Sequence, residues 1–186
     1  MKLRGYGALI SFSAGVALWA GAAQAADPQT AEVLGKLHHA NQMEIAAGKL
    51  AQEKGQSKDV KSFGKTLVTD HTASDTKVMA LAKEEKIELT TAAPMPDQMM
   101  DKLKTATGAD FDKVFATSML EDHKKDIAEA KAARDSTSDA KLKKLLTATI
   151  PVLEKHREIA QKLVDKVGPA ASATGVGVPQ PQPASK

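Results

Sequence analysis

The chain has five histidines, and three of them, His71, His123 and His156, fall together with Glu44 on the apolar stripes of four helical segments, where Leu or Ala should be buried. A polar group left unpaired in a core costs about 1–3 kcal/mol, so such a residue normally has a partner or a task. Imidazole and carboxylate together suit zinc, copper, iron or nickel, and one ligand from each of four helices would meet inside a bundle. The four residues therefore nominate a mononuclear site for one divalent ion. Asp75, one turn beyond His71, and Asp126, one turn beyond His123, are candidates for extra ligands or for acceptors behind the histidines. The same residues also fit a closed hydrogen-bonded network in which Glu44 accepts from His71 or Asn41 and the other histidines find backbone or carboxylate partners. They fit a protonation switch as well, because histidine titrates near neutral pH. These readings differ in what binds.

Other groups offer less. His38 and His39 are adjacent on a helix, so at most one faces the core, and a solvated or half-buried placement is expected. Met95, Met99 and Met100 could attract reduced copper, but methionines where a connection crosses a bundle more often fill gaps. Cysteine is absent, which excludes disulfides, thiolate metal sites and a cysteine nucleophile. No phosphate-binding glycine loop, dinucleotide fingerprint or serine-nucleophile signature occurs. No reaction is legible, and a non-catalytic role is expected.

The elements that must hold these residues read as helices throughout. Leu34, Leu37, Asn41, Glu44, Gly48 and Ala51 step along one face of a segment from Pro28 to Lys54, which Gly55 stops. Ser57 is an N-cap for a second helix with the seam Val60, Gly64, Leu67, His71, Ser74, Val78 and Leu81, ending near Lys86. Thr90, Thr91, Pro94 and Pro96 mark a long connection, with a short helix from Asp97 to Thr105. A third long helix, about Asp110 to Arg134, presents Phe115, Met119, His123, Ile127 and Ala130. After the turn 135–138, a fourth runs from about Asp139 to Val167 with the seam Leu142, Leu145, Thr149, Val152, His156, Ile159, Leu163. Pro151 should kink it. Two short turns and one long crossover predict an all-α, ferritin-like four-helix bundle of two antiparallel hairpins.

At 1.5 Å per residue, Glu44 and His71 stand within ~5 Å of the same level, whereas His123 and His156 differ by ~9 Å if these boundaries hold. The second pair thus needs a later helix start or the kink at Pro151.

Residues 1–25 read as a secretory signal: Lys2 and Arg4, an apolar run to Ala23, then Ala23-Gln24-Ala25. The apolar run is short for a membrane span, so no stable insertion is expected after cleavage, and a periplasmic address follows. Removing Lys2 and Arg4 leaves 24 basic against 23 acidic residues. With only Phe63, Phe111 and Phe115 as mature aromatics and no basic cluster, nucleic acid is excluded as a partner. Residues 26–168 make one domain, and residues 169–186, rich in Pro, Ala and Gly, read as a disordered tail.

The strings Glu44-Ile45-Ala46-Ala47-Gly48-Lys49-Leu50-Ala51, Val60-Lys61-Ser62-Phe63-Gly64 leading to Asp70-His71, Phe111-Asp112 with His123, and Pro151-Val152-Leu153-Glu154-Lys155-His156 together resemble the exported bacterial family called domain of unknown function 4142. The resemblance covers residues 29 to 167 and implies a ferritin-like bundle and export. It supplies no biochemical activity. The chain departs from the diiron pattern of the ferritin superfamily, because the positions three before His71, His123 and His156 hold Val68, Leu120 and Leu153 instead of Glu. A dinuclear oxygen-activating centre is not expected. The function expected is an exported metal-binding or stress-related module, and the alternative is an envelope interaction protein whose core histidines are structural or pH-sensing.

Overall fold

A computed structural model describes residues 27–89 and 98–170, and all its regular structure is helical. The stretch expected to be a signal, Pro94 and Pro96 with Met95, and the expected tail from residue 171 on lie outside the described residues.

Helix α1, Pro28–Lys54, starts where the Asp27 carboxylate accepts from the Gln29 amide at 3.1 Å and a proline occupies the first helical position. It stops at Gly55. Ser57 Oγ accepts from Val60 N at 3.1 Å and opens α2, Lys58–Glu84. Three connecting residues leave the two helices no course but antiparallel. Gly48 and Gly64 set their spacing, since a Cβ on either would lie 2.6 Å from the other's carbonyl oxygen. The turn is fixed from outside by Asp112, whose two carboxylate oxygens accept from the amides of Gln56 and Ser57, each at 2.8 Å.

The short helix α3, Gln98–Thr105, is held to the end of α1 by Lys54 Nζ, which donates to Leu103 O at 3.1 Å and Lys104 O at 2.6 Å. Helix α4, Gly108–Ser136, begins beside the α1–α2 turn, and α5, Ala140–Val167, returns after a turn of three residues capped by Asp139. At the other end of the bundle Thr30 donates to Asp139 at 3.2 Å, and Lys141 pairs with Glu85 at 2.6 Å. These contacts make α1 antiparallel to α4 and α2 antiparallel to α5. The end of α2 and the start of α4 therefore lie at opposite ends of the bundle of two antiparallel hairpins.

Helix ends differ from expectation by a residue or two, and one difference matters. Asp135 and Ser136 belong to α4, so the turn shrinks to residues 137–139. Counting from Thr137 and Asp139, His123 lies 14 residues before its cap and His156 lies 17 after its own. Their difference in level falls to ~4.5 Å, within reach of two side chains. Helix α5 continues through Pro151. Its buried stripe is also rotated from the expected one: Leu146, Ile150, Leu153 and Ala160 face the core, whereas Val152 is 38% exposed. Apolar residues occur as neighbouring pairs along this helix, and packing against both α4 and α2 selects one of each pair.

The core is split. Phe63, Leu67, Leu103, Phe111, Phe115 and Met119 fill one half, and Leu34, Val78, Ile127, Leu142 and Leu146 fill the other. Burial of either set drives the association of all four long helices. Glu44, His71, His123 and His156 form a polar layer between the halves, each on a different helix.

Candidate metal centre

Each histidine of the layer is anchored by the ring nitrogen that points away from its fellows. His71 Nδ1 donates to Asn41 Oδ1 at 2.9 Å across the α1–α2 pair. Asn41 and His71 each stand 14 residues from their caps, Gly55 and Ser57, so the close-packed hairpin places them at one level. His123 Nδ1 donates to Met119 O at 2.9 Å, one turn back on its own helix. His156 Nε2 donates to Asp70 Oδ2 at 2.9 Å, across α5 and α2. All three acceptors are oxygens without a proton to give, so each bond fixes the N–H on the outward nitrogen.

The inward nitrogens are then bare lone pairs: Nε2 of His71, Nε2 of His123 and Nδ1 of His156. One ligand nitrogen from each residue lies within 4.8 Å of the others. His123 Nε2 and His156 Nδ1 face each other at 3.3 Å, with neither carrying the proton to bridge them. Buried His71 Nε2 has no hydrogen-bond partner. Ring centroids stand 5.3 to 5.8 Å apart, and the Phe63 ring closes the layer edge-on to His156 at 5.9 Å.

A proton on one imidazole would relieve this opposition, but the site disfavours it. Burial, then the positive charge that His156 or His123 would carry, pushes His71 down to about 3. Burial and His156 push His123 down to about 4, against the pull of the Met119 carbonyl. His156 is lowered by burial despite Asp70. Three neutral imidazoles converging through bare nitrogens, each held from behind by an oxygen, are chemically the donor set of a three-histidine metal site. Two nitrogens bound tetrahedrally at zinc distances lie about 3.3 Å apart, which matches the His123–His156 separation.

Glu44 stands beside this group. Its Oε1 is 3.4 Å from His123 Nδ1, the outward nitrogen, and its Oε2 is buried without a partner. Burial first, then Asp122 and Asp126, raises its carboxyl well above the usual range. The expected bond from Glu44 to His71 or Asn41 is replaced by the His71–Asn41 bond and the approach to His123. Asp126 is half-buried near Glu44, pushed up to about 6 by burial and by its neighbours Asp122 and Glu129.

Asp75 does not serve His71. It bonds His38 Nδ1 at 2.7 Å and accepts from Gln42 Nε2 at 2.7 Å. This corrects the expectation for His38 too, which is buried at 8% exposure. His38, one turn beyond Leu34, lies on the side of α1 that meets α2, where Asp75 takes its ring. Met100 is a core residue and Met99 packs against the core.

Backbone or carboxylate partners were expected for the other histidines, but neither Asp70 nor the Met119 carbonyl was named. Asp70 adjoins His71 and lies on the flank of α2 that meets α5, a signal readable only once the neighbour of α2 is known. A carbonyl four residues before a helical histidine is always present, so it carries no sequence signal.

Among the described residues no helix is long and apolar enough to cross a membrane. No curated protein and no solved structure matches the chain. The family profile described as Domain of unknown function (DUF4142) matches residues 17–163, most of the chain, and this chain belongs to that family.

Proposed function

We propose that this protein is an exported, non-catalytic binding module that holds one divalent transition-metal ion in the middle of its helical bundle. The supporting observation is the convergence of three bare imidazole nitrogens, all buried, whose other nitrogens are tied to oxygen acceptors. His71, His123 and His156 are the ligands in this reading. Asn41, Met119 O and Asp70 orient the rings and fix their tautomers, and Glu44 supplies a compensating carboxylate beside His123. A three-nitrogen set leaves a fourth position open, and it suits zinc, copper, iron or nickel. A closed hydrogen-bonded network is disfavoured by the partnerless His71 Nε2 and by the donorless contact between His123 and His156.

The test is elemental analysis of tag-free protein, followed by titration of the apo form with zinc, copper, iron and nickel. The expected result is about one equivalent of metal, lost in His71→Ala and His123→Ala and retained in His38→Ala. Binding that disappears only in the His38 variant, or no binding at all, would refute the reading. The same preparation tests export, because periplasmic recovery of a chain beginning near residue 26 is expected.

A further inference from the structure

We infer that the groove between α1 and α4 is the path by which a metal cation reaches the histidine layer, with Glu44 as its inner relay. The inference rests on the proposed metal centre and asks how an ion enters a site whose ligands are buried.

The bundle is not equally closed on its four sides. Helices α1 and α2 pack along their length through Gly48 and Gly64, whereas α1 and α4 touch sparsely. A cavity of ≈ 380 Å³ opens between them, with Glu44 in its wall. Three further carboxylates line it, Asp122, Asp126 and Glu129 of α4, against two lysines, Lys36 and Lys125. Lys36 is paired with Glu32 outside the cavity at 2.7 Å, and Lys125 reaches Glu129 at 3.8 Å. The lining therefore carries an excess of negative charge. A second cavity, also ≈ 380 Å³, shares Asp126 and Glu129 and ends on Asn41 and His71.

The acids alone would mark no site. The independent observation is Glu44 Oε2, in a residue 3% exposed, which lines this cavity and has no partner. Its sister oxygen approaches His123 at 3.4 Å, so one carboxylate touches both the cavity and a proposed ligand. The carboxylates gathered in this wall repel one another, and a passing cation would relieve that repulsion. An acidic groove with low-dielectric walls also concentrates cations and speeds their capture, by roughly 10- to 1,000-fold at low ionic strength.

The experiment is stopped-flow loading of apo protein with cobalt(II) alone, followed by its visible absorption, across a range of salt. The triple variant Asp122→Asn/Asp126→Asn/Glu129→Gln is compared with Glu53→Gln/Asp59→Asn/Asp165→Asn, which removes the same formal charge from distant surfaces. Circular dichroism confirms that both fold. The expected result is that the groove variant loads about tenfold more slowly or worse, with a flattened salt dependence, and still reaches one equivalent. The distant variant should load nearly as the parent does. Equal rates in parent and groove variant, or equal slowing in both variants, would overturn the route while leaving the metal centre standing. Loss of the full equivalent in the groove variant would overturn it too, by making the acids ligands. A parent protein that takes up no cobalt would overturn the metal centre and the route together.

Discussion

Two groups of buried histidine lie about one helical turn apart in this bundle, and they differ in whether their hydrogen bonds close. At His38 the ring donates to Asp75, whose other oxygen accepts from Gln42, so the carboxylate is used on both sides. At His71, His123 and His156 the outward nitrogens are equally well anchored, but the inward ones face one another without a proton between them. Burial alone does not separate a structural histidine from a ligand. The unfilled lone pair does.

The contrast is sharpest for metal uptake. His71→Ala or His123→Ala should abolish the single equivalent, read by elemental analysis, while His38→Ala leaves it in place. Stability should show the reverse pattern. Asp75→Ala leaves the buried His38 ring without its acceptor and frees the exposed Gln42, and a loss of about 1–3 kcal/mol is expected by denaturant unfolding, with metal stoichiometry intact. If Asp75→Ala instead removed the metal, the division between the two groups would fail.

Intermediate effects belong to the residues behind the ligands. Asp70→Asn keeps an oxygen near His156 but removes the charge that favours its Nε2–H, and metal affinity should fall about 10- to 100-fold. An unchanged affinity in competition with a chelator would show that Asp70 does not orient the ring.

Acid should expose the apo site. His71 and His123 are lowered from 6.5 to about 3 and about 4, so below pH 6.5 the unfolded chain takes up protons that the folded protein refuses. Apo stability should therefore fall as pH drops from about 6.5 toward 4, and a His71→Leu/His123→Leu variant should flatten that slope. Glu44 acts in the opposite sense. Its raised carboxyl holds a proton that the unfolded chain releases, which lowers apo stability as pH rises above 4.5. Glu44→Gln should thus stabilise the apo protein at neutral pH, a smaller effect visible as a raised Tm. A lowered Tm there would mean that the charged carboxylate already has its partner.

Much of this layout was legible in the sequence, because 3.6-residue periodicity and local capping decide it. Pro28, Gly55 and Ser57 bound the first hairpin as expected, and Glu44 and His71 were legible as one level, whereas His123 and His156 meet only because α4 runs two residues further than expected. What was not legible depends on neighbours. The buried face of α5 turned by one position because α2 and α4 together choose among adjacent apolar residues, leaving Val152 outside and Leu153 inside. His38 went under cover because it meets Asp75 across the α1–α2 pair, a pairing that depends on how the two helices are rotated against each other. Asp70 became a partner of His156, 86 positions away, only because α5 packs against α2.

The most direct measurement is anomalous diffraction from crystals of the protein titrated with one equivalent of zinc. The account predicts one peak bounded by His71 Nε2, His123 Nε2 and His156 Nδ1, with Glu44 at its margin. A peak at His38 or His39 with none among the three, or no ordered zinc at all, would contradict it.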